Sequence, residues 1–578
     1  MRRWCSIGAV ALACLLPASL VSGCGSGGGG GKGQKGGTLT MLTNGDVDDA
    51  LDPGYSYYQL DFIYNYAVER PVLSYKPDDT TKASPDLASS YPTVSKDGKT
   101  VTVHLKKGIR FAPPVNREVT SADVKYALER DFLPQVGNGY ANSYWADLIG
   151  KDDYAKGKAN TIKGLETPDK YTLIMRLSRP TGTVAAQALA LPGSAPVPKE
   201  YAAKYDKGKR STYGQHVVAT GPYMVKNDPK TGKVTGYTPG KRIEFVRNPN
   251  WDKATDYRPA YLDGFVFDEG NDPTVGNRKI LDGTDMVGNP TDLSPPPAFL
   301  KQNLSKKDNL IPGPYSGRVR YIALNTTVKP FNDPNVRKAV AAGLDRSAMN
   351  IAFGGNTVGT VATHIITPGI QGFDEAGGDA GTGVDFLKNP SGDSALAASY
   401  LKKAGFANGK YSGAKLLMVA DNSTNQKSAA QVALNSFEKL GFNVNFRTVS
   451  RDTMYSKFCN VPSSKTPICP SVGWLKDFAD PQTMLDPTFN GKNIVATGNV
   501  NWPQLNDPSL NKAMDDAELI VDPAQRAKAW ASIDKQVTAT AAAIPWQWDK
   551  TVLVKSTNVK AVINKANAAW DMSFTSLK

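Results

Sequence analysis

Polar and apolar residues alternate between Val94 and Phe111 in the manner of a half-buried β-hairpin. Val101 and Val103 fall on one face of the second strand, whereas His104 falls on the polar face. The Asp-Gly dipeptide at 97–98 is typical of the tight turn in such a hairpin. We therefore predict a hairpin in this stretch, with His104 at the surface.

Apolar residues at helical spacing predict three helices whose starts are marked by capping residues. Thr120 and Asp123 form a capping box, and the pairs Asp333-Pro334 and Asp522-Pro523 each place an N-cap before a proline at the first helical position. Between residues 415 and 446 an apolar strand, an amphipathic helix and a second strand follow one another. This βαβ order predicts a parallel α/β sheet with a right-handed crossover.

Length and composition are those of an ordinary globular protein. The 578 residues are 40% hydrophobic and 21% charged, which is sufficient for two or three domains. The 68 lysines and arginines exceed the 54 aspartates and glutamates, giving a formal net charge of +14. These basic residues are scattered along the chain in nothing longer than doublets. We expect a solvated basic surface and no nucleic-acid partner.

The first residues have the layout of a secretory signal. Arg2-Arg3 precede an apolar stretch from Ile7 to Leu20, which is short for a transmembrane helix. Small residues then lead into Cys24 and resemble a bacterial lipobox, which implies that residues 1–23 are cleaved off and that the thiol carries a lipid. Residues 24–36 are rich in glycine and predict a flexible tether. We expect an exported protein that the lipid on Cys24 anchors to the extracytoplasmic face of the cell membrane; a plain secreted protein is the alternative.

Only two thiols, Cys459 and Cys469, remain after the removal of Cys5 and Cys14 with the signal and the lipidation of Cys24. In an exported protein an isolated pair of cysteines most simply forms a disulfide. A metal site is the weaker interpretation because the three histidines are scattered and offer no ligand spacing. We predict a disulfide, no bound metal and no cofactor.

The nine-residue segment Gly473–Pro481 combines two aromatic residues, two acids and a proline. Carboxylates interleaved with aromatic rings suit a loop at the end of a strand, where open α/β sheets bind their ligands. Trp474 and Asp477 are therefore candidate binding residues. The alternative is that Asp477 and Asp480 cap turns, as loop aspartates often do.

Several motifs lie along the chain in a consistent order. They are the Gly-Gly-Thr-Leu strand at 36–39, the turn Leu51–Pro53, the hairpin and helix at 97–124, Thr220–Tyr223, Asn248–Trp251, Pro330–Asp333 with Leu344–Arg346, and the Trp474 segment. Together they resemble family 5 of the extracellular solute-binding proteins, the dipeptide- and oligopeptide-binding receptors of ABC importers. The resemblance runs from about residue 36 to 575. One departure is Ala112–Pro114, where members usually have an Asp-Gly turn.

The resemblance implies an α/β fold of two lobes that close as a clamp. This is the type II periplasmic-binding-protein class, in its large form with an extra α+β subdomain in the N-terminal lobe. The implied division is 37–84 for the first part of lobe I, 85–205 for the inserted subdomain, 206–320 for the second part of lobe I, 321–545 for lobe II and 546–578 for the return to lobe I.

The resemblance also implies a receptor that binds short peptides between its lobes and delivers them to an ABC permease. By position, Asp477 faces the amino group of the ligand, beside Gly473 and an apolar wall formed by Trp474. Tyr55 and Tyr57 follow the Leu-Asp-Pro turn and face the cleft, although core packing is an equal alternative for either. The implied partners are a short peptide, the permease subunits and the membrane through the lipid, and the implied state is a monomer. The alternatives are a receptor for a nickel chelate, haem, sugar or opine, and a surface adhesion or signalling lipoprotein.

Three motifs of penicillin-recognising enzymes occur in the chain, at Ser412–Lys415, Ser423–Asn425 and Lys230–Gly232. Their order is wrong, because Lys-Thr-Gly precedes the other two, and Ser412 leads into a strand where that enzyme class needs a helix. No nucleophile elbow, P-loop, zinc-protease or dinucleotide motif is present. We therefore predict no catalytic residue and no enzyme activity.

Overall fold

A computed structural model describes residues 33–45, 51–496 and 499–578 of the chain. The predicted signal at 1–23, the predicted lipidation site Cys24 and most of the predicted tether lie outside the described residues. Across the described ranges, the helices are all too short or too polar to cross a membrane.

The first lobe is built around a mixed sheet that has six strands within the described ranges. Strand Thr38–Leu42 lies in parallel between Met286–Gly288 and Gly264–Asp268. The order continues, in antiparallel pairing, with Arg242–Arg247, which pairs with both Tyr223–Val225 and Tyr237–Thr238.

A four-stranded antiparallel sheet forms the core of the inserted subdomain; its strands, in order, are Thr93–Val94, Thr100–His104, Thr172–Arg176 and Leu165–Asp169. The predicted hairpin is confirmed, since Val94 pairs with Val101 and both Val101 and Val103 are fully buried. His104 is exposed, as predicted. The capping box is also confirmed, because the Thr120 amide donates to Asp123 Oδ2 at 2.7 Å.

The second lobe contains another sheet of six described strands; in order they are Gly359–Thr360, Ala543–Val554, Leu310–Leu324, Ile468–Leu475, Leu416–Asp421 and Val444–Val449. The predicted βαβ unit is confirmed, because Leu416–Asp421 and Val444–Val449 are parallel and helix Thr424–Lys439 connects them. Tyr321 and Ala323 pack into the core on one face of this sheet, and Ile322 and Leu324 pack on the other. Helices therefore cover both faces, which explains the continuous apolar run in the strand.

Helices of eight residues or more occupy Gln59–Val68, Ser121–Arg130, Pro273–Asp282, Pro334–Gly343, Arg346–Phe353, Ser394–Lys403, Thr424–Lys439, Gln482–Phe489, Pro508–Glu518 and Pro523–Ala539. Shorter α-helices occupy Ala141–Tyr144, Lys151–Ala155, Gly182–Gln187, Lys199–Ala202, Pro297–Asn303, Phe373–Ala376 and Arg451–Met454. The two predicted Asp-Pro starts are confirmed: Asp333 accepts from the Asn335 amide at 2.7 Å, and Asp522 accepts from the Gln525 amide at 2.8 Å.

Two long antiparallel strands, Leu310–Leu324 and Ala543–Val554, extend past the predicted limits of lobe II at both ends. After them the chain returns to the first lobe, where Trp570 Nε1 donates to the Gly288 carbonyl at 2.8 Å. The boundaries at 84, 205, 320 and 545 stay predictions, because strand pairing identifies sheets and not rigid units.

Candidate functional site

A cavity lies between the two lobes and contains about 1780 Å³ of empty space, its open mouth included. The first lobe contributes mainly aromatic side chains, and the second lobe contributes aromatic and charged ones. From the first lobe the lining includes Tyr57, Tyr58, Phe62, Tyr66, Tyr75, Tyr140 and Asp292; from the second it includes Arg318, Arg320, Phe353, Asp421, Arg451, Tyr455, Trp474, Lys476, Asp477 and Trp502.

The end of strand Ile468–Leu475 brings the predicted residues Gly473, Trp474 and Asp477 to this cavity. Pairing with the long crossing strand places Gly473 beside Arg320 and Trp474 beside Val319. Trp474 Nε1 donates to the Thr483 carbonyl at 2.7 Å, which fixes the orientation of the indole ring. The polar edge of the ring is thereby satisfied, and its apolar surface is available to a ligand.

A row of aromatic rings from the first lobe leads to Asp477. Tyr57 stacks on Tyr140 with ring centroids 5.6 Å apart, and Tyr140 stacks on Tyr144 at 6.3 Å. Tyr144 then meets Phe478 edge to face at 4.8 Å. Because Phe478 belongs to the second lobe, these rings join the two lobes beside the cavity.

Asp477 accepts a hydrogen bond from the Tyr144 hydroxyl across the lobe interface. Burial raises the pKa of Asp477 to about 7, although the bond from Tyr144 acts in the opposite direction. Burial and the nearby Asp477 charge raise the pKa of Tyr144 well above its ordinary value, so this phenol stays protonated and donates. No lysine, arginine or histidine of the described ranges forms an ion pair with Asp477. Among the described residues, Asp477 is therefore a partly desolvated carboxylate without a cationic partner.

The start of helix Gln59–Val68 positions Tyr57 for the cavity. The backbone amides of Tyr57 and Tyr58 both donate to Asp61 Oδ2, at 2.9 and 2.8 Å. A carboxylate in the first helical turn satisfies amides that have no partner within the helix. Asp61 thus acts as a positioning residue for the two tyrosines.

Tyr55 does not reach this cavity, in contrast to the other predicted ligand contacts. Its amide closes a tight turn by donating to the Asp52 carbonyl at 3.0 Å, and its ring faces the guanidinium of Arg210 at 4.7 Å. It lines a separate, smaller cavity together with Gln135. The turn directs the side chain away from the lobe interface, and we leave Tyr55 out of the candidate site.

Asp480, the second acid of the segment, has a structural role. Its carboxylate receives two bonds from Arg526, at 2.8 and 3.0 Å, and accepts from the Gln482 amide at 2.9 Å. The turn-capping interpretation therefore holds for Asp480. The same interpretation does not describe Asp477, whose hydrogen bond comes from a tyrosine of the other lobe.

The predicted disulfide between Cys459 and Cys469 is confirmed. Cys469 lies in strand Ile468–Leu475, so the bridge fixes the loop that enters the strand carrying Trp474. An acidic cluster that resembles a metal site lies elsewhere, at Asp486 and Glu518 with Asp515. Lys492 Nζ lies within 3.3 Å of all three carboxylates, so an ammonium group already balances their charge.

The sequence analysis did not predict that arginines line the cavity. Arg320 pairs with Asp549 at 2.7 Å, and Arg451 pairs with Asp292 of the first lobe at 3.0 Å. Arg318 lies on the same strand as Arg320, two residues earlier. The sequence did contain a signal for these residues: two arginines at positions i and i+2 directly precede the apolar run of a buried strand.

Direct contacts between the two lobes show that the clamp is closed in this structure. Arg179 of the inserted subdomain pairs with Glu518 at 2.9 Å, and Gln187 Nε2 donates to Asp480 at 3.3 Å. Together with the bond between Tyr144 and Asp477, these contacts exist only when the lobes are together.

Comparisons with known proteins agree with this architecture. Residues 82–495, more than half of the chain, match the family described as "Bacterial extracellular solute-binding proteins, family 5 Middle". Di/tripeptide-binding protein 1 of Pseudomonas aeruginosa is 27% identical over 454 residues, which cover 77% of each chain. Heme-binding protein A of Haemophilus influenzae is 26% identical over 463 residues, covering 78% of this chain and 76% of that protein.

The solved structure of clavulanic acid biosynthesis oligopeptide binding protein 2 superposes with a TM-score of 0.80 at 25% identity, covering 94% of this chain and 96% of that one. This likeness confirms the predicted α/β clamp of two lobes. The family consists of solute-binding receptors, which confirms the prediction that the chain is not an enzyme. The chain belongs to family 5 of the bacterial extracellular solute-binding proteins.

Proposed function

We propose that this protein is a lipid-anchored, extracytoplasmic receptor that binds short peptides between its lobes and delivers them to an ABC permease. One observation carries the proposal: Asp477 is a desolvated carboxylate at the lobe interface with no cationic partner among the described residues. A buried charge is costly unless it is paired, so the site favours a ligand that brings a cation. The amino terminus of a peptide is such a group.

Ligand binding would shift the equilibrium between open and closed lobes. Tyr57 and Tyr140 come from the first lobe, whereas Trp474 and Asp477 come from the second. A ligand that touches both sets makes its full contacts only in the closed state, so its binding energy favours closure. The closed receptor is the form that we expect the permease to recognise.

The names of the relatives support a peptide ligand without restricting the site to one. One relative is named for di- and tripeptides, and the superposed structure is named for oligopeptides. Another relative is named for haem. The carboxylate of Asp477 favours the peptide, because an amino terminus supplies a cation that the described part of the chain does not.

Mass spectrometry of small molecules released from the purified protein on denaturation tests the ligand class. Short peptides with free amino termini are expected. A metal chelate, a haem or a sugar in their place would refute the peptide assignment and leave the receptor fold unchanged.

Two further assays test delivery and anchoring. The receptor should stimulate ATP hydrolysis by its reconstituted permease in the presence of peptide, which an adhesion or signalling lipoprotein would not do. Mass spectrometry of the N-terminal peptide should find a lipid on Cys24 in the wild-type protein and none in the Cys24→Ala variant, because that thiol is the proposed point of attachment. A wild-type peptide without lipid would refute the lipid anchor.

A further inference from the structure

Among the residues that the structure describes, Arg318 at the cavity has no acidic partner. Its two arginine neighbours are matched by carboxylates, Arg320 by Asp549 at 2.7 Å and Arg451 by Asp292 at 3.0 Å. Arg451 Nε also lies 3.5 Å from Asp421. Within the described ranges, Arg318 enters no ion pair, and its buried Nε atom has no hydrogen-bond acceptor.

The guanidinium of Arg318 remains charged despite this environment. Burial, together with the positive charge of Arg320, lowers its pKa to about 10, while Asp549 acts in the opposite direction. A group with that pKa is protonated at neutral pH. A buried donor without an acceptor is unfavourable, so this arrangement offers a positive charge and an N–H group that a ligand can satisfy.

The neighbouring residues leave space for this side chain. A Cβ atom added to Gly473 would lie 3.2 Å from Arg318 Cδ and 3.3 Å from Arg320 Nη1, so any larger residue there would push against both arginines. Gly473 therefore permits the two guanidinium groups to lie over the strand at the cavity wall.

Arg318 and Asp477 do not neutralise each other, although both line the cavity. The charges that change the pKa of Arg318 are those of Arg320, Asp549, Arg451 and Tyr455. The pKa of Asp477 is changed by burial and by the hydrogen bond from Tyr144, and Arg318 does not contribute. Within the described ranges, the carboxylate of Asp477 and the guanidinium of Arg318 thus both lack an ion-pair partner and do not pair with each other. A single ligand with an ammonium group and a carboxylate would satisfy both.

We propose that Arg318 is a specificity-determining residue that binds a carboxylate of the ligand. The inference rests on the proposed function, since it takes the ligand ammonium on Asp477 as the other contact. The planar guanidinium matches a carboxylate through two parallel hydrogen bonds. This carboxylate has two possible sources, the C-terminus of a short peptide or an acidic side chain.

Isothermal calorimetry at pH 7.5 with three probes tests the proposal and separates the sources. The probes are Ala-Ala-Ala, its C-terminal amide, and the amide of Ala-Asp-Ala. The wild-type protein should bind at least one carboxylate-bearing probe about tenfold or more tightly than the neutral amide, as expected for a charge-assisted hydrogen bond. Preference for Ala-Ala-Ala identifies the C-terminus, and preference for the Asp-containing amide identifies a side chain.

The Arg318→Gln variant should lose this preference, so that its affinities for the three probes agree within about threefold, whereas Arg318→Lys should retain part of it because the charge remains. Arg176→Gln is the matched control, since Arg176 forms an exposed pair with Glu166 at 3.1 Å and does not line the cavity. Thermal unfolding establishes that each variant is folded. The wild-type comparison needs no variant and stands alone if Arg318→Gln does not fold.

Two results would overturn the assignment of Arg318 while leaving peptide binding intact. One is equal affinity of the wild-type protein for all three probes, and the other is an unchanged preference in Arg318→Gln. Failure of the wild-type protein to bind any of the three probes would overturn the proposed function together with this inference.

Discussion

The ionisation of Asp477 should control peptide affinity, and it can be tested by changing pH and by the Asp477→Asn substitution. With a pKa of about 7, half of the free receptor carries the carboxylate at pH 7, and about 1% carries it at pH 5. The apparent affinity scales with the fraction of receptor that is competent to bind. Peptide affinity should therefore fall by about 50-fold between pH 7 and pH 5.

Other titratable groups have little effect on this ratio of peptide affinities at pH 7 and pH 5. The amino terminus of a peptide has a pKa of about 7.7 to 8.0, so it is mostly protonated at pH 7 and fully protonated at pH 5. Tyr144 stays neutral throughout, since burial and the nearby Asp477 hold its pKa well above the ordinary value. The drop in affinity on acidification therefore reports the protonation of Asp477.

The Asp477→Asn variant should keep the fold and bind peptide weakly at every pH in this range. Loss of a hydrogen bond between charged groups costs about 1.5 to 3 kcal/mol, which corresponds to an affinity about 10- to 150-fold lower at pH 7. Calorimetric titrations of both proteins at four or five pH values measure the two effects. Asp153→Asn is the control, because it removes the same charge from an exposed position.

Either of two results would refute the reasoning. One is an Asp477→Asn affinity equal to that of the wild-type protein at pH 7, and the other is the same pH slope in both proteins. Tyr144→Phe gives an independent check: removing the bond that lowers the pKa of Asp477 should move the midpoint of the affinity profile to higher pH.

Three further predictions concern stability and closure. Replacing Cys459 and Cys469 by serine should lower the free energy of unfolding by about 3 kcal/mol, because the bridge closes a loop with a sequence separation of 10; an unchanged urea midpoint would contradict this. Arg179→Gln should reduce peptide affinity by no more than about fivefold, since the pair with Glu518 is exposed on the arginine side and such pairs contribute up to about 1 kcal/mol; a larger loss by calorimetry would show a stronger latch. Asp333→Ala should cost about 1 kcal/mol of stability through loss of the helix N-cap, and a denaturation curve that matches the wild type would exclude this role.

The sequence by itself determined the local elements. The hairpin before His104, the capping box at Thr120 and the helices after Asp333 and Asp522 were all predicted from alternation, caps and prolines. The βαβ unit and the disulfide were predicted in the same way. These signals are readable because each depends on residues a few positions apart, whose spacing fixes which side chains share a face. The order of motifs then identified the family and with it the two-lobed fold.

Only the tertiary structure decided which side chains meet at the site. Tyr144 and Asp477 are 333 positions apart, and no periodicity connects them. The turn at Asp52 directs Tyr55 to a different cavity, and the ion pair with Arg526 gives Asp480 a structural role. Likewise, the side chains around Arg318 in the described structure include no carboxylate that pairs with it, which the sequence alone does not show. A sequence shows which charges a chain carries, but pairing and burial depend on contacts between distant segments, and these alone decide which charges are left for a ligand.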